Sequence, residues 1–248
     1  MHPTATFLAA GPSPLWFATR AGGTIALILL TATVVLGITV GGQYAPKRIA
    51  RFEISALHRN LSLLTLAFLV LHVLTTVADT YVNVTLLDVV LPFASAYRTL
   101  WLGLGAVAFD LLLAVLLTTA VRLRLGVRRW KAVHWLAYGS WPLALFHAAG
   151  TGTDTKVSLQ LLLYAACLLA VLAAVWWRLY RAGPGRLSMR LAAGAATALV
   201  PVVLIAFLTT GPLRPGWAQR AAGGAAPGAA PAAHQPASAD ATTRGVTE

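Results

Sequence analysis

Four of the six histidines lie inside apolar stretches as two spaced pairs: His58 with His72, fourteen residues apart, and His134 with His147, thirteen apart. An imidazole surrounded by hydrocarbon needs a partner, and an ionisable side chain within a membrane span marks a functional site by default. A neutral imidazole offers a nitrogen lone pair to a transition metal. An α-helix rises about 1.5 Å per residue, so the two members of each pair stand roughly 20 Å apart along their helix. One histidine per leaflet on each of two helices is the spacing of haem ligation, with two irons each held between imidazoles from different helices. A binuclear metal centre fits less well, because the two levels are far apart and no Asp, Glu or Cys accompanies the histidines. Two other readings remain: buried histidines bonded to neighbouring backbone, and a transporter that passes protons or metal ions along them. A purified protein without haem absorbance would favour the transporter.

The elements that must position these side chains are membrane helices. Hydrophobic residues make up 58% of the 248-residue chain and charged residues 10%, with a mean hydropathy of +0.74, whereas soluble domains carry about 25% charged residues. Six apolar stretches approach the roughly 20 residues needed to cross a bilayer as a helix. They are approximately Thr24 to Val40, Leu61 to Ala78, Leu100 to Val121, Ala132 to Ala149, Val157 to Trp177 and Leu191 to Thr210. Backbone groups in lipid must be satisfied internally, and no alternating strand pattern is present, so the expected fold is an all-α membrane bundle of six transmembrane helices holding two stacked b haems. The first stretch is expected to be retained: Arg20 is a thin basic region and the residues after it make a poor cleavage site.

The net charge of +12 reads as topology rather than as a nucleic-acid surface. Lys47, Arg48, Arg51 and Arg59 surround the first connection, Arg122, Arg124, Arg128, Arg129 and Lys131 the third, and Arg178, Arg181, Arg186 and Arg190 the fifth. The alternate connections hold Arg98 and Lys156 beside Asp79, Asp88 and Asp154. The positive-inside rule makes the basic connections cytoplasmic and both termini external. The second and fourth helices then run in parallel from inside to outside. First histidine must meet first: His58 pairs with His134 on the cytoplasmic side, and His72 with His147 on the outer side.

Helical phase supports one pair more readily than the other. Fourteen residues return His72 to within roughly 40° of His58, whereas thirteen leave His147 some 140° from His134 in an ideal helix. Pro142 lies between them and is expected to kink the fourth helix, with a π-bulge as a means of rotating His147 back. Ser62, Thr65, Thr75, Ser140 and Tyr138 are candidates to hydrogen-bond the imidazoles. Arg59 and Arg129, with Arg128 and Lys131, are candidates for the propionates of the inner haem, since Arg suits carboxylates. Asp110, the one formal charge inside the six stretches, is expected to make a structural hydrogen bond, because no second acid continues a proton relay.

The segments LHRNLSLLTLAFLVLH, FASAYRTLWLGLG and RRWKAVHWLAYGSWPLALFHAAGTGTD resemble the ferric reductase-like transmembrane domain, also the membrane part of NADPH oxidases. The resemblance spans roughly Ile25 to Tyr180, and the four-residue step from Trp130 to His134 makes it specific. It implies that His58, His72, His134 and His147 ligate two b-type haems that pass electrons across the membrane. The chain departs from complete reductases in having a sixth apolar helix and a tail where they have a flavin and nicotinamide domain. It is similar in this to smaller haem-bearing membrane subunits that work with separate partners.

The expected organisation is a leader over 1–22, the transmembrane domain over 23–211 and a disordered Ala/Pro/Gly-rich tail over 212–248, with His2 and His234 solvated. Gly103-Leu-Gly105-Ala-Val-Ala108 formally fits a dinucleotide fingerprint, but inside an apolar helix it reads as helix packing. Cys167 is the single cysteine and excludes an internal disulfide. The resulting expectation is a membrane cytochrome b in the cell membrane. Lipid surrounds it, a cytoplasmic flavoprotein reductase or quinol donates electrons, and an acceptor waits at the outer face. Iron with both axial positions filled transfers electrons without binding substrate. The alternative within redox chemistry is a self-sufficient ferric or quinone reductase, with a flavin at the cytoplasmic face or on a partner.

Overall fold

A computed structural model describes residues 13–41, 51–79, 82, 84–181 and 187–217. Helix is the only regular structure among them. Three long helices precede the first break: α1 (Pro14–Gly41), α2 (Arg51–Ala78) and, after the single turn α3 (Leu86–Val90), α4 (Thr99–Ala120). Next come the short α5 (Arg122–Leu125), α6 (Val127–His134) and α7 (Leu136–Thr151), then α8 (Ser158–Arg181) and α9 (Leu187–Thr210). Five of these, α1, α2, α4, α8 and α9, are long and apolar enough to cross a membrane. The chain is an all-α, multi-pass membrane protein whose helices contact lipid.

The expected fourth span is built from two pieces. The helix is interrupted at Trp135, immediately after His134, and Pro142 remains inside α7. At the junction the Tyr138 N–H bonds the Trp135 carbonyl three residues back, at 3.0 Å, so the turn tightens where a π-bulge would have loosened it. A 3₁₀ turn advances about 120° per residue against about 100° in an α-helix. The tightening therefore carries His147 forward, toward the face that holds His134.

Four helices share the apolar core. Leu27, Leu30, Val34 and Ile38 of α1 meet Trp141, Leu145 and Ala149 of α7, Tyr164, Cys167, Val171 and Ala174 of α8, and Leu204 of α9. Each set repeats at three or four residues, the stripe one helix face presents. The Trp141 indole N–H donates to Thr31 Oγ at 2.9 Å, and that hydroxyl donates to the Leu27 carbonyl at 2.7 Å, so the polar groups in this core are satisfied internally.

Outside the core, α1 packs closely along α2, and α4 along α7. The two pairs are joined through α1, which also contacts α7 and α8, while α2 does not pack closely on α7. The space between α2 and α7 is where the histidines project.

The two ends differ in charge. Arg59, Arg122, Arg124, Arg128, Arg129 and Lys131 are exposed at one end, where Arg178 Nη1 also donates to the Ile38 carbonyl of α1 at 3.1 Å. At the other end Arg20 pairs with Asp154 and Ser13 donates to Asp79 at 2.8 Å. Lys47, Arg48 and Arg186 lie outside the described residues, as do His2 and His234. Packed chain continues past Gly211: Pro212 is fully buried, and the Trp217 ring stands 5.9 Å from both Trp101 and Phe207. The remainder of the expected tail, 218–248, lies outside the described residues.

Leu145 is completely buried in this core, while Leu162 on α8 is 66% exposed toward lipid. Leu145→Ala is expected to cost about 2–5 kcal/mol through the cavity it leaves, and Leu162→Ala well under about 1 kcal/mol. Thermal unfolding in one detergent would check the contrast, and equal losses would mean that the core is misplaced.

Candidate functional site

The four histidines meet as two pairs at two depths. The ring centres of His58 and His134 are 6.4 Å apart and those of His72 and His147 6.3 Å. Two imidazoles facing one metal, with metal–nitrogen bonds of roughly 2.0 Å and roughly 1.1 Å from nitrogen to ring centre on each side, would have centres roughly 6.2 Å apart. The rings are too far apart to bond each other directly and are placed to share an atom between them. Within α2, which is continuous from Arg51 to Ala78, the two levels are separated by roughly 21 Å.

At the level of His72 and His147, away from the basic end, which the charge placement predicts to be the outer one, both rings are fixed by backbone. His72 Nδ1 lies 2.8 Å from the Thr19 carbonyl of α1, and His147 Nδ1 2.8 Å from the Trp101 carbonyl of α4. A carbonyl only accepts, so each Nδ1 carries the proton and each Nε2 keeps its lone pair for a metal. These bonds set ring orientation and raise ligand basicity.

Glycine makes the bonds reachable. In α1 and α4 alike, the residue four positions after the accepting carbonyl is a glycine, Gly23 after Thr19 and Gly105 after Trp101. A Cβ on Gly23 would come within 2.9 Å of His72 Nδ1, and one on Gly105 would strike the ring of His147. Any other residue would cover the carbonyl from the side on which the imidazole approaches. The level nearer the basic end repeats part of this seat: a Cβ on Gly37 would lie 3.3 Å from the His58 ring, and Thr33 again stands four residues earlier in α1. No full hydrogen bond forms there, and the buried Nδ1 atoms of His58 and His134 both lack a partner. His134 instead lies against the Trp130 ring, with centres 5.0 Å apart, and Trp130 is held by its indole bond to Thr119 at 3.1 Å.

The hydroxyls expected around the imidazoles serve the backbone instead. Ser62 donates to the His58 carbonyl, Thr65 to Leu61, Thr75 to Leu71 and His72, and Ser140 to Ala137. Each thereby satisfies a helical side chain inside its own turn. Arg59 and Arg129 are exposed at the basic end, on the side of His58 and His134. Asp110 is half-buried, and the hydrogen bond expected of it is not made to any described residue. The glycines of the formal fingerprint pack: a Cβ on Gly103 would strike the Phe93 ring.

These features fit haem better than a bare ion. Among the described residues no group of three or more His, Cys, Asp or Glu is placed to hold a metal, and two imidazoles alone leave a transition metal under-coordinated. A porphyrin would supply the four remaining nitrogens, and the facing imidazole pairs with their glycine seats are residues that could hold one.

Residues 22–145, half of the chain, match the family described as ferric reductase like transmembrane component. No curated protein and no solved structure matches the chain. The matched segment runs from within α1 through α2, α4 and α6 into α7, so it includes His58, His72 and His134, and ends two residues before His147. By that match the chain belongs to the ferric reductase-like transmembrane family.

Proposed function

We propose that this protein is a membrane cytochrome b subunit that carries electrons from a cytoplasmic-side donor to an acceptor at the outer face through two bis-histidine haems. The observation that carries the reading is the pair of facing imidazoles at each of two depths, 6.4 Å and 6.3 Å between centres. Haem, which His58 with His134 and His72 with His147 would hold, would supply a one-electron carrier suited to outer-sphere transfer. The chain's own part is to hold ring planes and protons. Thr19 and Trp101 keep the Nδ1 protons of His72 and His147, so Nε2 faces the metal without a change of tautomer. The lipid-facing helices and the core around Leu145 keep water away from both levels.

In this reading α6 and α7 together form the fourth of six spans, since sixteen residues of α7 cover about 24 Å and α6 adds about 12 Å. The exposed cations of α5 and α6 face the cytoplasm and present a surface for an acidic flavoprotein or the headgroup side of a quinol. Reporters placed between Arg122 and Lys131 are expected to be cytoplasmic and those after Leu213 external. A cytoplasmic C-terminus would reverse the electron direction.

Haem quantification with reduced-minus-oxidised spectra tests the reading directly. Two low-spin haems per chain are expected. His58→Ala and His134→Ala should abolish the same haem, with the double variant resembling either single one, and His72→Ala and His147→Ala should form the second matched class. Inner-haem reduction from the cytoplasmic side should survive only in the second class. A colourless wild-type protein, or four variants that all retain two low-spin haems, would sink the proposal.

The glycine seats give an independent check. Gly105→Ala is expected to displace His147 and convert the outer haem from low-spin to partly high-spin, with loss of roughly half or more of that haem on purification. Gly139→Ala, where a Cβ would meet only Leu111 at 3.8 Å, should leave both spectra unchanged.

A further inference from the structure

We propose that Arg98 is a carboxylate-binding residue at the outer end of the bundle, and that the carboxylate it receives is a propionate of the outer haem. The inference rests on the two-haem reading above. Arg98 is 4% exposed, although a long cationic side chain at a membrane boundary ordinarily extends its head into water. It precedes α4 in the left-handed region, with φ 46° and ψ 48°. That uncommon conformation for a residue other than glycine carries the side chain inward across the end of α7. The preceding turn is fixed by the Tyr97 N–H to Ser95 Oγ bond at 3.2 Å and the Thr99 hydroxyl to Ser95 carbonyl bond at 2.8 Å.

Its guanidinium is only partly satisfied. Nη1 donates to the carbonyls of Gly150 and Thr151 at 3.0 and 2.7 Å, and the Tyr97 ring lies 5.4 Å from its central carbon. Nε is buried and has no partner. Among the described residues no carboxylate is within ion-pair distance of Arg98, whereas Arg20 at the same end is paired with Asp154. Two carbonyls at the negative end of a helix offset about half a charge, and a buried cation without a counter-ion is costly. The missing partner is an anion with a flat pair of oxygens, the shape a guanidinium edge matches.

Position selects the source. Gly150 and Thr151 follow His147 by three and four residues, one turn toward the outer surface. Propionates are the only ionised substituents of a haem and favour its aqueous edge, because carboxylates are expensive in hydrocarbon. A haem held by His72 and His147 presents its propionates at the level where Arg98 waits. The competing source of the same chemistry is a soluble acceptor bearing carboxylates, such as ferric citrate.

The test uses the full-length purified chain with its haems, as wild type, Arg98→Gln and Arg98→Lys. Measured quantities are haem content, the redox titration of each haem, the propionate bending band in resonance Raman spectra, and KM for ferric citrate. A nearby cation favours the reduced haem. Arg98→Gln should therefore retain two low-spin haems, lower the outer haem's reduced-to-oxidised ratio at fixed potential by about tenfold, or about 59 mV, and leave the inner haem unmoved. The outer propionate band should shift in both variants, while Arg98→Lys keeps most of the potential. If Arg98→Gln does not assemble, an unshifted propionate band in Arg98→Lys would overturn the proposal. So would Arg98→Gln with both midpoints and the band unchanged, which is the result expected of a mere cap on α7. A raised KM for ferric citrate with unchanged midpoints and band would give the carboxylate to the acceptor and overturn the propionate assignment. Absence of two haems from the wild-type protein is a separate result, against the two-haem reading itself.

Discussion

The distance between α2 and α7 is the constraint on which the rest of the structure depends. These two helices carry His58, His72 and His147, with His134 at the end of α6 immediately before α7, and yet do not pack closely on each other. A gap between apolar helices in a bilayer would ordinarily close, since helix association there is driven by close packing. Here it is held open from outside: α1 lines α2, α4 lines α7, and α1 ties the two pairs together through the core that includes Leu145 and Trp141. The imidazoles reach across what remains.

Each flanking helix does two things at once. It packs against its histidine helix, and it offers a backbone carbonyl to the imidazole that emerges from that helix. Both tasks converge on glycine, because close packing of backbones and access to a carbonyl from the side each require that no Cβ intervene. Gly23 and Gly37 in α1 are separated by the fourteen residues that separate His58 from His72, as two antiparallel helices in fixed register demand. On α4 only the outer seat, Gly105, is present. The inner ring of His134 is held by Trp130 and Thr119 in place of a glycine and a carbonyl.

The two levels are therefore not equivalent. Both outer imidazoles are locked in one tautomer by carbonyls on neighbouring helices, while both inner Nδ1 atoms are buried without a partner. The bonds orient the outer ligands and raise their basicity. The inner ligands lack this second support and sit beside the basic end, where exposed Arg and Lys side chains dominate the local charge.

Much of this was legible in the residues alone. Apolar length called for helices and the two histidine intervals for two levels, and the approach of His58 to His134 and of His72 to His147 matches the depths read from the chain. These are one-dimensional properties, set by rise per residue and by the cost of charge in lipid. Phase along the fourth apolar stretch was not, because rotation depends on which carbonyl each N–H selects. The expected adjustment at Pro142 occurs instead as a tightened turn at Trp135. Nor could sequence reveal the partners of His72 and His147, which are backbone carbonyls of Thr19 and Trp101 and leave no side-chain signature; of the hydroxyls that seemed suited to the task, Ser62, Thr65, Thr75 and Ser140 donate within their own helices. Arg98 read as an ordinary loop charge until the left-handed turn before α4 brought it under the end of α7. Sequence determined what could span, where charge could lie and which residues could bind a metal. Only the tertiary structure decided which groups face each other across a gap, because that is settled by packing between helices distant in the chain.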